Sequence, residues 1–175
     1  MGNYTNSYVF KAIDAYPYDL EETMEALNYA LSYDANNTMA LTLMGRVCAE
    51  KLYNYIEAIS YYKEALAVKI DAFEVYEHYI NVLLWNEDLK EAEDFIDFAL
   101  TVKGADKAVL YLKKAALYEQ RKKYKKAMSN IKKAKENTFN AEFLGIVHAL
   151  KKRVKAKMPS KKKEKAPKNN EKKKE

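Results

Sequence analysis

Cysteine, proline and glycine are all scarce in this sequence: one Cys, three Pro and four Gly among 175 residues. The lone cysteine, Cys48, excludes an internal disulfide and offers no CxxC pair for metal or redox chemistry. So few Gly and Pro residues argue against an all-β fold and leave room for short turns between helices. No stretch approaches the roughly 18 uncharged apolar residues that a membrane span requires. The amino terminus, MGNYTNSYVFKAID, lacks a basic start followed by an apolar run, so no secretory signal is evident. Met1-Gly2 begins like a myristoylation site, but Asn6 stands where that motif needs Ser or Thr. No Gly-rich phosphate loop is present either, and no cofactor or metal is expected. A cytoplasmic protein is the simplest reading of these absences.

What the sequence does contain is apolar and charged residues in quantity, 49% and 32% respectively. That mixture suits amphipathic helices and is too apolar for a wholly disordered chain. The length corresponds to one ordinary domain with a core of its own. The formal net charge of +6 hides a polar distribution. Residues 1–106 carry 7 Lys/Arg against 19 Asp/Glu, residues 107–150 carry 11 against 3, and residues 151–175 carry 13 against 3. The nets are −12, +8 and +10, an asymmetry that bears on association more than on fold.

Three segments superimpose: EAISYYKEAL at 57–66, EAEDFIDFAL at 91–100 and KAMSNIKKAK at 126–135. Their leading alanines, Ala58, Ala92 and Ala127, are 34 and 35 residues apart, and Ala65, Ala99 and Ala134 repeat both intervals. An earlier copy, ETMEALNYAL at 22–31, places Ala30 at 35 residues before Ala65. Each copy follows a second helical segment with stripe residues three, four and seven apart: Leu41, Met44, Gly45 and Cys48, then Tyr76, Tyr79, Ile80 and Leu83, then Tyr111, Ala115 and Tyr118. This period draws one apolar stripe along each helix. The small alanines let two helices approach closely, and the open face of each hairpin must stack on the next.

In these residues the chain resembles the tetratricopeptide repeat, W-x2-L-G-x2-Y…A-x3-F…P over 34 residues. The best copy reads Leu41-x2-Met44-Gly45-x2-Cys48, then Ala58-x3-Tyr62, then Ala65. The next reads Tyr76-x2-Tyr79-Ile80-x2-Leu83, then Ala92-x3-Ile96, and the last Tyr111-x2-Lys114-Ala115-x2-Tyr118, then Ala127-x3-Ile131. The motif's closing proline is absent, with Ala35 and Ile70 in its place, and its glycine survives only as Gly45. The resemblance implies an all-α, right-handed solenoid of antiparallel helix hairpins over residues 1–157. Its units would be about 4–37, 38–72, 73–106 and 107–139, with the first degenerate. Residues 140–157 read as a capping helix with Asn140 as N-cap. From 158 to 175 the composition collapses to MPSKKKEKAPKNNEKKKE, which cannot repay its ordering entropy and reads as a disordered Lys-rich tail.

Such solenoids present their leading helices along a concave groove, and the resemblance implies an extended peptide or protein segment bound there. The positions that face it by spacing are Tyr8, Ala12, Met39, Leu43, Arg46, Glu50, Glu77, His78, Asn81, Trp85, Lys113 and Glu119. Arg46, Asn81 and Trp85 carry the donors and the flat surface that peptide recognition uses. Trp85 is open to a second reading as a packed residue at its helix end, and His78 and Asn81 to one as solvent-exposed side chains without a role. Chaperone-tail-binding members of the family use a Lys and Asn clamp. Here Thr42, Arg46 and Glu77 stand in that neighbourhood and no clamp matches.

Catalysis finds little support. His78 and His148 are far apart, Cys48 occupies a packed stripe position, and the carboxylates are spread along helix faces rather than paired. The RKKYKKAMSNIKKAK run puts Lys122, Lys125, Lys126, Lys132 and Lys133 on an outer face, and Lys161, Lys162 and Lys163 follow in the tail. A solvated face is the ordinary reading of such a run. Tyr124 alone interleaves it, so phosphate attraction without base stacking is as much as it supports. The expectation is a non-catalytic protein-interaction scaffold. The alternative is a nucleic-acid- or ribosome-associated protein docked through its basic half, and self-association through the oppositely charged ends is a further possibility.

Overall fold

The structure is a computed structural model that describes residues 2–159, with side chains from residue 7 onward. Among the described residues all regular structure is helical: α1 (Gly2–Ala15), α2 (Leu20–Tyr33), α3 (Thr38–Glu50), α4 (Tyr55–Val68), α5 (Phe73–Trp85), α6 (Leu89–Ala99), α7 (Lys107–Gln120), α8 (Tyr124–Glu136) and α9 (Ala141–Lys157). Residues 160–175, and with them Lys161, Lys162 and Lys163, lie outside the described residues. Consecutive helices pack as antiparallel neighbours, and the leading helices α1, α3, α5, α7 and α9 also touch one another in sequence. The result is a solenoid of four hairpins closed by one helix.

The starts of the helices are written in short polar side chains. Asp19, Asn37, Asn54, Asp106 and Asn140 each accept a hydrogen bond from a first-turn amide, as N-caps do. Asn54 adds a reciprocal contact, its side-chain amide donating to Glu57 at 2.7 Å. Turns inside three hairpins pass through a left-handed residue: Tyr53, Glu87 and Lys122, with φ of 54°, 63° and 57°. They recur at the repeat interval. Each is followed by an amide that reaches back into the helix, six residues from Asn54 to Cys48 and five from Asp88 to Leu83 and from Lys123 to Tyr118, satisfying the carbonyls at the helix end.

The repeated alanines form the close seams. Ala30, Ala58, Ala65, Ala92, Ala99, Ala127 and Ala134 are all fully buried. Between them lie Leu27, Tyr62, Ile96 and Ile131, the large residues of the same repeat position, none more than 2% exposed. In the first hairpin Thr23 takes the leading alanine's place. It is fully buried, and its hydroxyl donates to the Asp19 carbonyl at 2.5 Å, so no polar atom is stranded. The two helices of the second hairpin are also close at Gly45, where an added Cβ would lie 2.6 Å from Cε1 of the Tyr62 ring. Cys48 is buried beside this seam, and burial pushes its thiol up to about 11.

Candidate functional site

Along the concave side, polar side chains link each leading helix to the next. At the first junction the Tyr16 hydroxyl donates to Glu50, and the Arg46 guanidinium lies 4.7 Å from the centre of the Tyr16 ring. Arg46 Nε also donates to Glu50 Oε1 at 3.3 Å, one helical turn away. His78 of α5 approaches the same carboxylate, Nδ1 to Oε1 at 3.9 Å, and stacks on Tyr62 with ring centres 6.4 Å apart. Burial alone would push the Glu50 carboxyl up, but the Tyr16 hydroxyl, Arg46 and His78 outweigh it and hold the group below its ordinary range. Burial and the Glu50 charge push the Tyr16 hydroxyl up to about 12. Burial, reinforced by Arg46, holds the His78 imidazole below its ordinary value, which favours the neutral ring.

At the next junction Lys113 of α7 is shared between two groups of α5, Glu77 at 2.7 Å and the Asn81 side-chain carbonyl at 2.8 Å. The last junction gathers three bonds on one carboxylate. Glu119, only 7% exposed, accepts a two-pronged contact from Arg153 of α9, 2.9 and 2.7 Å, and a third bond from Lys157 at 2.8 Å. The Arg153 bonds, against the opposing effect of burial, hold the Glu119 carboxyl below its ordinary range. Leading and trailing helices have their own pairs. Tyr79 donates to Glu91 at 2.6 Å, Lys63 of α4 meets the same carboxylate at 2.8 Å, and Tyr118 and Arg121 both hold Glu93.

The sequence-derived groove residues therefore separate. Arg46, Glu50 and His78 form one cluster, and Asn81, Lys113 and Glu77 another. Leu43 is 5% exposed and serves as floor rather than rim, and Ala12 is fully buried, because both lie on the side of the leading helix turned into its neighbours. Glu119 is taken up by Arg153 and Lys157 of the last helix. Trp85 joins neither cluster. It is 49% exposed and leans on Tyr55 at the start of α4, with ring centres 6.1 Å apart. It stands at the hairpin-turn edge, partly packed and partly presented.

A hollow of about 510 Å3 opens at the first cluster, lined by Ile13, Tyr16, Pro17, Leu43, Arg46, Glu50 and Lys51. Ile13 is 42% exposed there. Tyr16 and Pro17 come from the turn after α1, so spacing along the leading helices does not reveal them. On the basic side, Lys122, Lys125, Lys126, Lys132 and Lys133 are exposed. Lys126 and Lys133 lie over the Tyr118 and Tyr111 rings at 5.3 Å each, and Lys132 sits 3.6 Å from Glu136. Tyr124 is half-buried against the core and lies beside Lys122, Lys123, Lys125 and Lys126 along one hollow, a single ring rather than a row of rings for stacking. Among the described residues no group of three or more His, Cys, Asp or Glu side chains could hold a metal ion, and no helix is long and apolar enough to cross a membrane.

Solved structures share this architecture. MamA 41-end from Desulfovibrio magneticus RS-1 superimposes with a TM-score of 0.67 at 20% identity, over 90% of each chain. The chain has the tetratricopeptide-repeat fold. A second MamA crystal structure gives 0.68 at 18% identity over 90% of this chain and 87% of that one. Pseudomonas aeruginosa pilF gives 0.65 at 18% identity over 87% and 72%. These identities speak to fold alone. No family model and no curated protein matches the sequence.

Proposed function

We propose that this tetratricopeptide-fold chain is a non-catalytic scaffold that holds an extended segment of a protein partner against its concave face, at the hollow beside α1 and α3. The observation that carries the reading is that hollow: about 510 Å3, with Ile13 and Leu43 as apolar floor and Arg46, Lys51 and Glu50 around it. Binding cavities of this kind combine an apolar lining with a few placed polar groups. Arg46 is held in position by Tyr16 and Glu50, so its side-chain entropy is already reduced before a partner arrives. Cys48, buried with its thiol pushed up to about 11, has no thiolate to offer as a nucleophile at neutral pH.

The test is affinity capture with the full chain and with Ile13→Glu, followed by measured affinity for the purified partner. Arg46→Ala and Trp85→Ala are then compared with the parent. An anchor of this sort contributes about 2 kcal/mol, close to a thirtyfold loss of affinity. Loss in Arg46→Ala but not in Trp85→Ala places the partner at the hollow. Equal capture by Ile13→Glu and undiminished affinity in both other variants would sink the reading. Thermal melts of each variant separate a lost contact from a lost fold.

A further inference from the structure

The two ends of the solenoid are unlike, and their surfaces match each other. Interior leading helices α3, α5 and α7 each pack between a trailing helix before and a trailing helix after, whereas among the described residues α9 packs on the helices α7 and α8 before it. Between α8 and α9 opens a cleft of about 550 Å3. Met128, Ile131 and Val147 form its apolar floor, and Lys132, Lys135 and Lys151 stand around the rim. The rim also carries Glu136, which is 3.6 Å from Lys132. A space of this volume is in the range that accommodates large side chains or ligands, about 300–1,000 Å3.

At the opposite end, α2 presents the complementary face. Glu21, Glu25, Tyr29 and Tyr33 follow at intervals of four, all exposed, and so form one stripe. No Lys or Arg occurs anywhere on this helix. Tyr8 stacks on both rings, 5.3 Å from Tyr29 and 6.0 Å from Tyr33. That leaves two pre-ordered aromatic rings 48% and 66% exposed. Exposed aromatics fixed in place are costly to leave in water and lose little entropy on docking.

We propose that the protein assembles head to tail, with the α2 face of one copy seated in the α8–α9 cleft of the next. The Tyr29 and Tyr33 rings cover the floor of Met128, Ile131 and Val147, while Glu21 and Glu25 meet Lys132, Lys135 and Lys151. A contact of this kind joins two different surfaces of the same chain, so it does not close on a dimer and extends into short chains or a ring. None of the residues lining the concave hollow belongs to either contact face, so assembly multiplies the scaffold's binding sites.

Sedimentation velocity on the full chain tests this without any added ligand. At about 0.05 M salt the average mass rises with concentration, and at about 0.5 M salt, where the screening length falls well below the size of the contact, association weakens about tenfold or more. Reversal of one end, as in Glu21→Lys with Glu25→Lys, abolishes association, and so does reversal of the other, as in Lys132→Glu with Lys135→Glu. Both reversals in one chain restore it, because the two ends are again complementary. All four side chains are exposed, so melting temperatures stay close to the parent's. A parent that sediments as a monomer at low salt overturns the proposal, as does association that survives either single-end reversal. Ile13→Glu at the hollow should associate like the parent, which separates this contact from partner binding.

Discussion

Gly45→Ala sets two opposing effects against each other at the seam between α3 and α4. Within a helix, replacing Gly by Ala gains about 1 kcal/mol through backbone entropy alone. Here the new Cβ would lie 2.6 Å from Cε1 and 2.9 Å from Cζ of Tyr62. Ordinary carbon contacts sit at about 3.5–4.0 Å, so the ring must retreat by close to an ångström. It has nowhere easy to go, being 1% exposed and packed against His78 and Tyr79 at 6.4 and 6.2 Å between ring centres. Overpacking of this kind costs about 1–3 kcal/mol. We expect a net loss of about 1 kcal/mol, a fall in Tm of about 2–4 °C for a chain of this size. Circular dichroism at 222 nm during thermal and urea unfolding reads it. The decisive control is Tyr62→Leu, which removes the obstructing ring. In that background Gly45→Ala should become neutral or stabilising. A destabilisation of the same size in both backgrounds would refute the assignment of the cost to the ring.

Ala92→Leu should lower stability by about 1–3 kcal/mol, because Ala92 is fully buried at a helix seam; an unchanged Tm would show the seam to be elsewhere. Tyr53→Gly and Glu87→Gly relieve left-handed residues with φ of 54° and 63°, where a side chain costs about 1–2 kcal/mol, so after the entropy lost by glycine each should be neutral to slightly stabilising in urea titrations. A clear destabilisation at both positions would contradict this. Glu119→Gln removes charge-assisted bonds from Arg153 and Lys157 and should cost about 1–3 kcal/mol at neutral pH. The folded carboxyl is held below its ordinary range, so its contribution is complete above the unfolded value of about 4.3 and is lost as pH falls through the folded one. The gap between parent and variant should therefore narrow from pH 6 toward pH 3; a gap independent of pH excludes the ionic origin.

The repeat was legible because it is a packing constraint with a fixed interval. Seven alanines recur where two helices touch, and burial leaves no larger choice at those points. Thr23 was harder to see, since it meets the same need for small volume with a hydroxyl that bonds back to Asp19. Left-handed turns at Tyr53, Glu87 and Lys122 carried no signal at all, because none of them is a glycine. The concave residues were legible as positions and not as partners. Spacing placed Arg46, Glu50 and His78 on one side of their helices, yet the Tyr16 hydroxyl that completes the cluster comes from a turn outside the pattern. Leu43 lies within one turn of Arg46 and is nonetheless floor, because a groove's wall and its core differ by a small rotation about the helix axis.

The polar links between leading helices bear on how such a groove could work. Arg46, Lys113 and Arg153 are each committed to a carboxylate of the same chain before any partner arrives. A partner carboxylate at Arg46 would compete with Glu50, which also holds Tyr16 and faces His78. Binding there is an exchange of one ion pair for another, and exchange yields little affinity in itself. What it supplies is discrimination, since a segment that displaces Glu50 without replacing its bonds leaves a half-buried carboxylate uncompensated. Affinity must then come from apolar burial against Ile13 and the Tyr16–Pro17 turn, the least polar part of the hollow. Apolar substitutions in a bound segment should accordingly change the dissociation rate most, while changes of charge opposite Arg46 should mostly change which segments are accepted.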